Sequence, residues 1–124
     1  MNPTAFQIFC GYYLGLDSEF GAKFFNVHSL AAHYGIDAGT LQELMAAHGM
    51  VPENMRHIDF NVAKAHGIAQ ELTFTASRED VMRHARDSFD AFVQAARKMD
   101  PDKVFEDIDY DDVWEDEKDN RGNR

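Results

Sequence analysis

Six histidines, one cysteine and 22 carboxylates are the side chains of this 124-residue chain best suited to metal binding or proton transfer. A zinc site needs three or four convergent ligands, and on a helix two of them stand one turn apart. His28 and His33 are five residues apart, which turns them to different helical faces, and no His-Glu-x-x-His occurs. Cys10 would need a neighbouring histidine and an electropositive setting to act as a nucleophile. The acidic composition works against that setting, so Cys10 reads as a small buried apolar side chain. The Asp/Glu pairs near the C-terminus read as a solvated face, too exposed for the raised pKa that a general acid needs. No glycine-rich phosphate loop or dinucleotide fingerprint is present. No catalytic residue, cofactor or metal is therefore expected, and the chain reads as a binding protein and not an enzyme.

The elements that would position a binding surface are helical throughout. The expected architecture is all-α, with about five short helices over residues 1–100 and an acidic, aromatic-containing tail over 101–124. Apolar residues make up 44% of the chain, with ten phenylalanines, enough for a core without a metal or crosslink. Phe6, Phe9, Cys10, Tyr13 and Leu14 place a first helix over about Pro3 to Leu16. Asp17-Ser18 can cap a short second helix carrying Phe20, Phe24 and Phe25. Asn26 or Ser29 opens a third, ending at Gly35. Three similar strings, Ala32-His33-Tyr34-Gly35-Ile36, Ala47-His48-Gly49-Met50 and Ala65-His66-Gly67-Ile68, read alike as helix ends. In each, a left-handed glycine would let the next apolar residue fold back, with a histidine beside the negative end of the dipole. Phe25-Asn26-Val27 recurs as Phe60-Asn61-Val62. A helix over about Asp59 to Leu72 precedes a connector, Thr73-Phe74-Thr75. Ser77-Arg78-Glu79-Asp80 then resembles a capping box. The helix it opens carries Met82, Ala85, Phe89, Phe92, Ala96 and Met99 at alternating steps of three and four, a seam that either seals the core or meets a second copy. A homodimer would use Met82, Phe89, Phe92 and Ala96. Pro101 ends the helix.

The stretch from Asn26 to Met50 contains no lysine or arginine. Within it, Ala31 stands where two helices would approach closely, Gly35 at a turn, and Ile36 as the apolar turn residue. Leu41 and Leu44 pack back from the second helix, with Thr40 near its start. Leu30–Leu44 thereby resembles the helix-turn-helix of bacterial transcriptional regulators. That resemblance implies a second helix, from about Ala38 to His48, that enters the major groove. Asp37, Ala38, Gln42 and Glu43 occupy the positions that would face bases and phosphates, and Gly39 stands at the start of that helix. Lys23 and Arg56 are the nearest cations. Phosphate contacts supply most of the affinity of a DNA reader, and this unit adds negative charge instead. Gln42 could read adenine, but one polar side chain does not hold a protein on a polyanion.

Charge is uneven along the chain. Residues 1–100 carry 12 acidic and 8 basic side chains, whereas residues 101–124 carry 10 and 4, so the last fifth holds more than half of the net −10. Such a protein is repelled by nucleic acid and anionic membranes and attracted to basic protein surfaces. In the tail, Phe105, Ile108, Tyr110, Val113 and Trp114 alternate with acids that include Asp111 and Asp112. Interleaving of this kind suits a segment ordered by a partner with a basic rim and an apolar pocket. Gln42, Glu43 and these tail residues are the expected partner-binding set. The expected function is that of a regulator or adaptor acting through protein contacts. Two alternatives are a DNA-binding regulator and an acidic mimic of DNA. No apolar run reaches the roughly 18 residues of a membrane span. The N-terminus lacks a basic signal-peptide region, and one cysteine forms no intrachain disulfide, so a cytoplasmic setting is expected.

Overall fold

The first helix is buried on nearly every side, and the other helices are arranged around it. Residues 2–99 are described by the structure, a computed structural model; all of its elements are helical apart from one isolated backbone bridge. Helix α1 (Ala5–Ile8) begins with a reciprocal cap, in which Thr4 Oγ1 accepts from Gln7 N at 3.1 Å and Gln7 Oε1 accepts from Thr4 N at 2.8 Å. It continues without a break into a π-helical turn, Phe9–Leu14. Ala5, Phe6, Ile8, Phe9, Cys10, Gly11 and Leu14 are all buried along it. A helix apolar all round belongs inside the protein. Between them, α1 and its π-helical turn touch α2 (Val27–His33), α3 (Ala38–Ala47), α5 (Val62–Thr75) and α6 (Arg78–Met99). A single-turn helix, α4 (Pro52–Met55), completes the set.

The expected helix over residues 17–25 does not form. Asp17 acts as a turn former: its Oδ1 accepts from the backbone N–H of both Glu19 and Gly21 at 2.9 Å. A carboxylate that satisfies those N–H groups offers the backbone an alternative to the helix. The turn closes with Phe20 N donating to Asp17 O and an antiparallel bridge between Leu16 and Ala22. Phe25 is buried nonetheless and Phe20 is half-buried, while Phe24 is 84% exposed.

The recurring Phe-Asn-Val marks two helix starts. Asn26 Oδ1 accepts from Ser29 N at 2.8 Å to cap α2, and Asn61 Oδ1 accepts from Lys64 N at 2.9 Å to cap α5. The three Ala-His-Gly strings divide. Gly35 and Gly49 have φ of +71° and +70°. After each, the next residue bonds back toward the preceding helix: Ile36 N to Ala31 O and Met50 N to Met45 O, at 3.0 and 2.8 Å. Gly67 instead lies inside α5. Helix α5 also runs through Thr73-Phe74-Thr75, where a connector was expected. The threonine hydroxyls there donate to Gln70 O and Glu71 O within the same helix.

Helix α6 starts where the capping residues place it, with Ser77 Oγ accepting from Asp80 N. Phe89, Phe92 and Ala96 of its seam are fully buried inside the domain, Met82 is half-buried and Met99 is exposed. The buried face is wider than the seam, because Val81, Ser88 and Val93 lie on it as well. Phe9 is the hub of the aromatic core, with ring centroids 5.4 Å from Phe89, 5.3 Å from Phe92 and 5.9 Å from Phe60. Phe89, Phe92 and Ala96 thus build this chain's own core. No described helix is long and apolar enough to cross a membrane.

Candidate functional site

Helices α2 and α3 pack against each other across the turn at Gly35. Leu30, Ala31, Leu41 and Met45 form the inward side of the pair, with Ile36 and Leu44 half-buried. Leu44 packs against the core as its spacing suggested, and Met45 is buried beside Leu41. The pair is held from the core side by Tyr13, whose hydroxyl donates to the carbonyl of Met50 just beyond α3. Burial pushes the Tyr13 hydroxyl well above its ordinary pKa, with smaller contributions from Tyr12 and Glu53.

The outward side of α3 consists of Gly39, Gln42, Glu43, Ala46 and Ala47, all exposed. Gly39 falls in the first turn, where backbone N–H groups have no partner within the helix, so its flexibility costs little there. Asp37 caps that turn, its Oδ1 accepting from Thr40 N at 2.7 Å. The Thr40 backbone N–H, then the Thr40 hydroxyl and Gly39 N–H, hold the Asp37 carboxyl below its usual range. A negative group therefore already occupies the positive end of this helix, the place where an external phosphate would bind.

A second cluster adjoins the far end of α2. Ser18 Oγ lies 2.7 Å from His33 Nε2. The His33 ring packs against Tyr34 edge-on at 4.8 Å and against Phe25 at 5.2 Å. Nothing in the sequence pattern joins Ser18 to His33, because their contact depends on the turn that Asp17 closes.

The remaining candidate groups are dispersed. Cys10 is fully buried, and burial pushes its thiol far up, so it stays protonated at neutral pH. Among the described residues no three of His, Cys, Asp and Glu cluster as metal ligands would. His33 ends α2 and His48 caps α3, but His66 lies mid-helix, so only two of the three fit the helix-end reading. His84 joins α6 to α5 by donating to Ala65 O at 2.9 Å. Sequence reasoning also missed Gln70, whose amide donates to Leu14 O and Gly15 O at the end of the π-helical turn. Phe105, Ile108, Tyr110, Asp111, Asp112, Val113 and Trp114 lie outside the described residues.

Comparison with known protein families, curated proteins and solved structures gives no match to the chain.

Proposed function

We propose that this protein is a regulator or adaptor that binds another protein through the outward side of α3, with Gln42 and Glu43 at its centre. The observation that carries this reading is the charge at the start of α3. Asp37 caps the positive helix end with a carboxylate, Glu43 stands on the same helix, and the exposed residues around them are small or uncharged. Such a surface repels phosphate and admits close approach by a partner helix or loop carrying basic groups. The acidic, aromatic tail would add a second contact of the same sign.

A mobility-shift series on duplex DNA, run from low to physiological salt, separates this reading from that of a DNA-binding regulator. The protein is expected to give no shift even at low salt, where phosphate contacts are strongest. A salt-sensitive shift that Gln42→Ala weakens would replace the protein-partner reading with the DNA-binding one.

A further inference from the structure

Going beyond partner binding, we propose that Ser18 is a nucleophile activated by His33 and open to acyl donors of the activated carboxylic-ester class. The 2.7 Å between Ser18 Oγ and His33 Nε2 is within the reach a general base needs. With the ring proton on Nδ1, Nε2 accepts the hydrogen of the serine hydroxyl. The imidazole is kept from turning away by the Tyr34 and Phe25 rings packed against it.

The turn that carries Ser18 is held in a costly form. Two hydrogen bonds to Asp17 Oδ1 fix it, and Phe20 closes it at φ +65°. A bulky residue in the left-handed region is a true outlier, and backbone strain of this kind concentrates at functional sites. Ser18 and His33 are both exposed, so a donor reaches them without any opening of the fold.

The chemistry is complete without a further reagent. Ser18 Oγ attacks the carbonyl carbon while its proton passes to His33 Nε2. The ester C–O bond then breaks, and the imidazolium returns the proton to the departing oxygen, which leaves as an alcohol. Water, deprotonated by the same nitrogen, adds to the acyl-serine, releases the carboxylic acid and restores the hydroxyl.

A fluorophosphonate probe tests this on the full chain, because an activated serine displaces fluoride from phosphorus and keeps the phosphonyl group. Peptide mapping by mass spectrometry reads where the adduct sits and how fast it forms. Ser18 is expected to label in preference to Ser29 and Ser77, which serve helix caps. His33→Gln should slow labelling at Ser18 on the order of 10²-fold with the helical circular-dichroism signal unchanged. Glu71→Gln, at an exposed position of α5 outside this cluster and the α3 surface, should leave labelling as it was. An absence of adduct at Ser18, equal labelling at Ser29 or Ser77, or an unchanged rate in His33→Gln overturns the proposal.

Discussion

At Phe20 a phenylalanine occupies a backbone conformation that favours glycine, at φ +65°. Its ring is what keeps it there, lying 6.5 Å from the Phe6 ring and 6.0 Å from the Arg78 guanidinium. Phe20→Ala removes those contacts and keeps the strained angle, whereas Phe20→Gly removes both. Glycine should therefore be the less damaging replacement by about 1 kcal/mol in urea unfolding, the reverse of the usual order. Equal losses would mean that the turn is not strained. Asp37 gives a pH-dependent test at the same scale. Its folded-state pKa is lowered, so the unfolded chain binds the proton more readily, and stability rises with pH through the window between the two values. The contribution is present above the ordinary carboxylate pKa of about 3.9 and is lost as pH falls through the lowered folded value. Urea midpoints across the acid range should fall less steeply for Asp37→Asn than for the natural chain. Asn26 was readable in advance because a cap needs only one side chain and the next three residues, whereas the helix that Asn61 caps was expected to start earlier, near Asp59. The approach of Ser18 to His33 was not, since it joins residues 15 apart through a turn whose shape depends on one carboxylate.

Among the elements, the three Ala-His-Gly strings show how far local pattern reaches. Gly35 and Gly49 end their helices because the next residues cannot continue them: Asp37 caps α3, and Val51-Pro52 opens α4. After Gly67 come Ile68, Ala69 and Gln70, of which Ala69 is buried and Gln70 bonds the end of the π-helical turn. Tertiary contacts thus carry α5 through a glycine that would otherwise stop it. The two glycines should therefore respond to alanine with opposite signs. Gly35→Ala should cost about 1–2 kcal/mol, because alanine resists the left-handed angle. Gly67→Ala should stabilise by about 0.5–1 kcal/mol, since the added methyl meets nothing within 4 Å and the helix gains propensity. Chemical denaturation of both variants checks the pair, and a loss at Gly67 would restore it as a helix end. The helix that was expected over 17–25 and does not form has a similar cause. Phe20, Phe24 and Phe25 have helical spacing, but two hydrogen bonds to Asp17 decide the local backbone before that spacing can act.

For the whole molecule, the all-helical class was legible from periodicity and caps, while the arrangement around the first helix was not. Its spacing marked one apolar face, yet Ala5, Ile8 and Gly11 are buried as well, and four other helices touch this segment. The α6 seam was legible as apolar but not as internal, since the same spacing serves a core or a dimer. Burial of Phe89, Phe92 and Ala96 decides where those side chains go. On the candidate surface, Gln42 and Glu43 could be placed outward from helical period alone, and the structure exposes both. What meets them is the question that affinity capture from nuclease-treated lysate of the protein's own source addresses, with the natural chain and Glu43→Lys run side by side. The natural chain should retain a protein with a basic surface after nuclease treatment, and Glu43→Lys should retain several-fold less of it. Loss of all bound protein on nuclease treatment, or equal recovery by the two chains, would contradict a protein partner at this face.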